Sequence, residues 1–352
     1  MHHFDIDRLR SYLEAHVAGF RGPLSAEKFA GGQSNPTFLL HAASGDYVLR
    51  RQPSGLLLKS AHAVDREYRV ISALAATEVP VPRALHLCED REVIGSMFYL
   101  MSYEPGRIFW DPALPQLQAQ ERGQIYEQIV TVMAQLHAVD IERAGLGDYG
   151  RAGNYFERQI GVWSKQYRAA ETEALAPMDR LIEWLPAHCP ADTGPTSLVH
   201  GDFRLDNMIF DAATPRIVAV LDWELSTLGH PLADLAYFCM CLRLPADAYI
   251  PGLAGRDRAA LGIPDEARMV AAYCERRGMP PVTDWHFYLA FSFFRLAAIA
   301  QGVKKRALDG NASSPEALSV GRMVAPLAEA AVELIRQHDP AHANDGAGQN
   351  IP

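Results

Sequence analysis

Two short clusters in this chain carry residue types that could do chemistry together. His200-Gly201-Asp202-Phe203-Arg204-Leu205-Asp206-Asn207 sets an amide five residues after a carboxylate, and Leu221-Asp222-Trp223-Glu224 adds a second carboxylate fifteen residues further on. Each cluster is delivered by an apolar run, Ser197-Leu198-Val199 before the first and residues 216–221 before the second. Phosphoryl transfer to a hydroxyl needs such groups: a carboxylate that orients and deprotonates the attacking oxygen, and hard oxygen ligands for a Mg2+ that bridges phosphates. Asp202, at the start of the loop, suits the first need. Asn207 and Asp222, brought together by a strand hairpin, suit the second. The competing reading is a strand-edge turn decorated with polar side chains.

The elements that must position these groups can be read from periodicity. Residues 5–17 space Ile6, Leu9, Leu13 and Val17 along one helix face. Residues 30–40 and Tyr47-Val48-Leu49 flank the Ser44-Gly45-Asp46 turn and read as a glycine-fronted β-hairpin. A second helix spans 63–76 and an apolar strand spans 97–101, followed by the polar turn Ser102-Tyr103-Glu104-Pro105-Gly106. Beyond that turn the pattern becomes helical at 120–138, 155–172 and 178–185, and again from Leu232 onward. A strand-rich front and a helical remainder predict an α+β, two-lobed layout. The expected parts are an N-terminal lobe over 1–103, a helical lobe over 104–338, and a disordered polar tail over 339–352.

Composition excludes several other classes. With 49% hydrophobic and 21% charged residues, the chain can bury a core. Its formal net charge of -9 argues against a nucleic-acid partner, which would want a basic face. The five cysteines form no Cys-x-x-Cys pair or even framework, so they read as reduced thiols of a cytoplasmic protein. The start shows no basic segment followed by an apolar run. Residues 287–303 are apolar but interrupted by Ser292, Arg295 and Gln301, which fits a buried helix better than a membrane span.

The pair His200-Gly201-Asp202-x4-Asn207 and Leu221-Asp222-Trp223-Glu224 resembles the signature of the aminoglycoside phosphotransferase and choline kinase-like family, which has the protein-kinase-like two-lobed fold. The resemblance implies an N-terminal antiparallel sheet lobe and a larger helical lobe. It also implies a small-molecule kinase acting on an alcohol group with Mg2+ and ATP or GTP. Asp202 would be the base and Asn207 and Asp222 the metal ligands, with His200 packing under the loop. Gly31, Gly32, Gln33, Ser34 and Asn35 would form the nucleotide loop. Arg50 stands where the family has a lysine that holds phosphates, with Glu67 as its partner. Ser102 and Tyr103 would present backbone groups to the nucleobase, and Asp234 would support the catalytic loop.

Three stretches, 47–53, 154–167 and 222–229, are similar to the branch fused to, or encoded beside, acyl-CoA dehydrogenases. That branch implies a hydroxylated substrate such as a hydroxyacyl compound or its CoA thioester, and a functional link to an acyl-CoA dehydrogenase. Trp163 and Tyr167 then read either as walls of a substrate pocket or as packing aromatics. Glu224 is a further candidate for substrate contact. Arg295 reads as a partner for acidic groups of the ligand or as a buried structural residue, and Lys304-Lys305-Arg306 as a ligand contact or a solvated helix end. Two alternatives stay open: an amino-alcohol or aminoglycoside kinase, and a nucleotide-binding pseudokinase partner of a dehydrogenase.

Overall fold

A computed structural model describes residues 4–29, 35–53, 63–191, 194, 196–310 and 317–338. Gly31, Gly32, Gln33 and Ser34 of the expected nucleotide loop lie outside the described residues, as does the expected tail over 339–352. The chain forms two compact units. One joins Met1–Trp110, Gln120–Gly150 and His200–Thr227; the other joins Asp111–Ala119, Arg151–Val199 and Leu228–Pro352.

The first unit is built on an antiparallel sheet. Its strands are β1 (Leu24–Lys28), β2 (Thr37–Ala42), β3 (Gly45–Arg51), β4 (Ala84–Cys88) and β5 (Phe98–Ser102), in the order β1-β2-β3-β5-β4. Helix α1 (Ile6–His16) is started by Asp5, whose carboxylate accepts from the backbone N–H groups of Asp7 and Arg8. It buries Leu9 and Leu13 in a core with Phe38, Leu40, Leu49, Phe98 and Leu100.

Alternation along β3 then decides which of two adjacent arginines can serve a site. Leu49 belongs to the α1-side core, and Arg51, two residues on, lies over the Phe4 ring. Arg50 therefore faces the opposite side, toward Glu67 on helix α2 (Val64–Leu74). The same unit holds α3 (Ala119–His137) and a small hairpin of β7 (Met208–Phe210) with β8 (Ile217–Val220).

Backbone hydrogen bonds explain why the first unit takes in the β7–β8 hairpin. Arg107 and Phe210 exchange N–H to O bonds of 2.7 and 2.8 Å, and Val220 N–H donates to Pro80 O at 2.9 Å. These bonds bind the β7–β8 hairpin to the sheet-bearing segment. Gly106 is required beside them, because a Cβ there would collide with Phe210 O.

The second unit contains α4 (Tyr155–Ala170), α5 (Ala176–Ala187), the strands β6 (Ser197–Val199) and β9 (Thr227–Gly229), α6 (Leu232–Leu242), α7 (Arg258–Leu261), α8 (Glu266–Arg277), α9 (Trp285–Leu308), α10 (Ala317–Gly321) and α11 (Val324–His338). Helix α9 packs against α4, α6, α10 and α11, which is why it is apolar on nearly every face. Two of its buried polar residues donate to neighbouring oxygens. Ser292 donates to Tyr288 O at 2.8 Å, and Gln301 Nε2 donates to Ala170 O at 2.7 Å and Thr172 Oγ1 at 3.0 Å. Among the described residues no helix is long and apolar enough to cross a membrane.

Candidate active site

The site in the first unit is assembled by one buried histidine. His200 is fully buried; its Nε2 lies 2.8 Å from Leu221 O, and its Nδ1 accepts from the Asp202 N–H at 3.2 Å. Those partners assign the ring proton to Nε2. The imidazole thereby ties the start of the loop over 201–207 to the end of β8, with Trp223 packed against it at 4.6 Å between ring centroids. Leu221 N–H also donates to Asn207 O at 2.8 Å, so Asn207 and the residue before Asp222 are bonded neighbours.

Gly201 makes that loop feasible. Its φ is +84°, and a Cβ built there would fall 2.6 Å from Leu225 O. An L side chain in the left-handed region adds strain of about 1–2 kcal/mol before any clash. Gly201→Ala is accordingly expected to destabilise the fold by at least ~2 kcal/mol. Urea unfolding checks this, and a midpoint equal to wild type would contradict the geometry.

Both oxygens of Asp202 are engaged. Arg204 Nε lies 3.0 Å from Oδ1, and Asn207 Nδ2 donates to Oδ2 at 3.0 Å and to Asp202 O at 2.9 Å. The Asn207 amide nitrogen is therefore turned toward Asp202, which leaves its Oδ1 as the atom suited to a cation. Arg204 also pairs with Asp206 at 3.2 Å, and burial raises the Asp206 carboxyl above its ordinary value although Arg204 opposes this. The sequence reading gave Arg204 no role. Its signal was a cation two residues past Asp202 inside the loop that ends at Asn207.

Asp222 sits at φ 64°, ψ 64°, a left-handed conformation that Asp tolerates better than most residues. Its Oδ1 meets Arg50 Nη2 at 2.5 Å. The same guanidinium lies 3.0 Å from Glu67 and 3.6 Å from Glu224, and Asn35 Nδ2 donates to Glu67 at 2.8 Å and to Glu224 at 3.4 Å. One cation thus serves three carboxylates. Burial raises Glu67 to about 7; the Arg50 charge opposes that shift, while Asp222 and Glu224 add to it.

This shift has a pH consequence. The folded chain holds the Glu67 proton more tightly than the unfolded chain does. The group therefore favours folding at acid pH, and that contribution is lost as pH rises from the ordinary 4.5 through about 7. In denaturant unfolding, Glu67→Gln should flatten the fall in stability over this window. A variant whose stability tracks wild type across it would contradict the burial argument.

The turn after Asp222 is fastened to α2 through a residue that sequence reasoning also missed. Tyr149 is 1% exposed, its hydroxyl lies 2.7 Å from Ser226 Oγ and donates to Arg66 O at 3.2 Å, and Arg66 Nη2 donates to Tyr149 O at 2.8 Å. Nothing in its local sequence marks it, since all its partners are distant in the chain.

The remaining expected residues fall as follows. Ser102 ends β5 and its hydroxyl bonds Glu104, while Tyr103 is exposed just beyond it. Asp234, Trp163, Tyr167 and Arg295 belong to the second unit. There Asp234 is fully buried in the first turn of α6, and Tyr167 is fully buried in α4. Arg295 is 5% exposed, with its guanidinium 5.7 Å from the Trp163 ring and 5.5 Å from that of Tyr237. Lys304 and Lys305 pair with Glu173 and Asp309, as a solvated helix end does.

The residues fit a divalent cation. Asn207 Oδ1 and the Asp222 carboxylate are hard oxygen donors in a cluster where carboxylates outnumber cations. Among the described residues no three acidic, histidine or cysteine side chains converge to hold an ion unaided. A bound ion would need phosphate oxygens as further ligands.

Comparison with known proteins gives the family. Residues 25–288 match the family described as "Phosphotransferase enzyme family". The crystal structure of a putative aminoglycoside phosphotransferase from Ralstonia eutropha is 50% identical, with a TM-score of 0.86 over 95% of this chain and 99% of that one. An aminoglycoside phosphotransferase, APH(4)-Ia, solved with ADP and hygromycin B, shares the fold at 17% identity and TM-score 0.60, over 96% of this chain and 98% of that one. Acyl-CoA dehydrogenase family member 10 of Mus musculus is 48% identical over 92% of this chain, and family member 11 of Homo sapiens is 41% identical over 96%. The chain spans only 30% and 44% of those two proteins. With its kinase-like fold, an antiparallel sheet lobe and a large helical portion, the chain belongs to the phosphotransferase enzyme family.

Proposed function

We propose that the protein is a small-molecule kinase that transfers the γ-phosphoryl group of ATP to the hydroxyl of a hydroxyacyl compound or its CoA thioester. The observation that carries this is the bonded arrangement of Asp202, Asn207 and the Asp222 turn, with Arg50 and Glu67 beside it. Support for the acceptor comes from the relatives, which are named as acyl-CoA dehydrogenases and contain a region like this chain.

In this reading Asp202, fixed by Arg204 and Asn207, orients the acceptor hydroxyl and takes its proton. The bond from the γ-phosphorus to the β-bridging oxygen breaks, a bond to the acceptor oxygen forms, and ADP leaves. Arg50 binds phosphate oxygens in the role of the usual lysine, since a planar guanidinium can hold them bidentately. Asn207 and Asp222 would hold Mg2+, which when bound neutralises charge on the phosphates. Asn35 contributes to holding Glu67 and Glu224 at the nucleotide side of the cluster. ATP is preferred to GTP in this reading because relatives of the fold are seen with adenine nucleotides.

An aminoglycoside acceptor is the second reading, favoured by the description of the Ralstonia eutropha structure. A phosphoryl-transfer screen over hydroxyacyl-CoA esters, free hydroxy acids, choline and aminoglycosides decides between them. Highest kcat/KM on the hydroxyacyl series supports the proposal. Highest kcat/KM on an aminoglycoside would replace it.

A further inference from the structure

We propose that the cleft along α4 binds an acyl-CoA thioester, with the acyl chain on its apolar floor and the phosphate-bearing carrier at its cationic rim. The cleft has a volume of about 790 Å3, within the range of ordinary ligand sites. Its floor includes Phe156, Ile160 and Tyr288, which are 6%, 3% and 8% exposed, with Ile182 beside them. These are hydrocarbon and ring surfaces, suited to an aliphatic chain.

The rim has the opposite character. Lys165 lines this cleft and also an adjoining opening of about 570 Å3 that is lined by Arg151 and Arg158. Lys165 and Arg151 are exposed and, among the described residues, take part in no ion pair. Arg158 donates to the backbone carbonyls of Arg151 and Ala152, which holds its guanidinium at this opening without neutralising it. Glu157 is the single carboxylate shared by the two openings. Three cations against one anion favour a ligand with several negative charges and disfavour a polycationic one. A ligand that is both hydrocarbon and polyanion matches the whole cleft; a sugar-based polycation matches neither part.

The proposal deepens the acceptor reading and rests on it for what the bound ligand does. Its test reads binding, so the two can fail separately. Cys189 lines the cleft and is half-buried, whereas Cys88, Cys239, Cys241 and Cys274 are buried. Alkylation of Cys189 by iodoacetamide, followed by mass spectrometry of the full chain, therefore reports occupancy. The probe is octanoyl-CoA, which has no hydroxyl to phosphorylate, compared with CoA and with octanoate.

At about ten times its Kd, octanoyl-CoA should slow labelling about tenfold, since only the free fraction reacts. CoA and octanoate, each satisfying one half of the cleft, should protect far less at the same concentration. Lys165→Glu should weaken protection by octanoyl-CoA, and rising salt should weaken it further. Gly161 lines both openings and has no atom within 4 Å of a built Cβ, so Gly161→Phe fills the cleft without a backbone clash. It should abolish protection, and Ser164→Trp, from the same helix face, should do likewise.

Labelling unchanged by millimolar octanoyl-CoA would overturn the proposal. So would equal protection by CoA alone, or full protection persisting in both filled variants. Protection without any phosphoryl transfer to hydroxyacyl-CoA would uphold the cleft and remove the acceptor reading. Transfer without protection would remove the cleft and leave that reading in place.

Discussion

Asp202→Asn is expected to lower kcat by about 10²–10⁴-fold, the usual effect of removing a general base, while the dissociation constant for Mg-ATP stays within a few-fold of wild type. The substitution keeps the size of the side chain and one acceptor atom. What it loses is the charge that, in the proposed function, orients the acceptor hydroxyl and receives its proton. In a loose transition state the proton moves late, so much of the loss would come from orientation. Nucleotide binding should survive because Arg50, Asn207 and Asp222 are untouched, and the Asn207 backbone remains bonded to Leu221. Arg204 would lose its ion pair with Asp202 but keep Asp206 at 3.2 Å, which should preserve the loop. Measuring transfer and nucleotide affinity in one preparation separates the two effects. A kcat within a few-fold of wild type would mean that Asp202 is not the base.

Asp222→Ala should take turnover below detection while the chain remains folded. The carboxylate is about a third exposed on its side chain and contributes little to the core, so the unfolding free energy should stay within about 2 kcal/mol of wild type. Arg50 would keep Glu67 at 3.0 Å and Glu224 at 3.6 Å, and is not left as an unpaired buried charge. Unlike Asp202→Asn, this variant should also bind Mg-ATP more weakly, since the proposed metal ligand is gone. Calorimetric titration with Mg-ATP and a urea curve on the same sample test both halves. Normal turnover in a folded Asp222→Ala protein would remove the kinase assignment.

The β7–β8 hairpin that carries the candidate groups was legible in the sequence because those groups lie within one stretch of about two dozen residues, and apolar runs announce the strands that hold them. Helix α9 was legible for a similar reason: a long apolar pattern broken by Ser292, Arg295 and Gln301 reads as a buried helix, in which Ser292 and Gln301 donate to neighbouring oxygens and Arg295 lies near the Trp163 and Tyr237 rings. Arg50 was singled out by the family resemblance, as the cation standing at the end of a strand where the family has a lysine. That Arg51 faces Phe4 instead follows from strand alternation.

What was not legible depends on partners distant in the chain. Strand β1, Leu-Ser-Ala-Glu-Lys, has almost no β-forming residues and exists through its register with β2, where Ala26 lies opposite Leu40. The coupling of Tyr149 to Ser226 spans 77 residues. The pairing of Glu67 with Tyr99 spans 32, and no local pattern signals either contact. The grouping of the β7–β8 hairpin with the sheet rests on backbone bonds such as Val220 to Pro80, to which side-chain types are blind. Tyr167 and Arg295 stayed open between two readings, since residue types that suit a pocket are equally good at packing helices.

Transfer is distinguished from hydrolysis, and from binding alone, by following the γ-phosphoryl group. Wild-type protein is incubated with Mg2+, ATP labelled on its γ-phosphorus, and a hydroxyacyl-CoA, and the label is followed into products. ADP and an alkyl phosphoester are expected to form in equal amounts, with the label in the ester and none formed when the acceptor is omitted. Nucleotide that binds but is never turned over, or label that appears solely as inorganic phosphate at a rate the acceptor does not change, would contradict the proposed transfer.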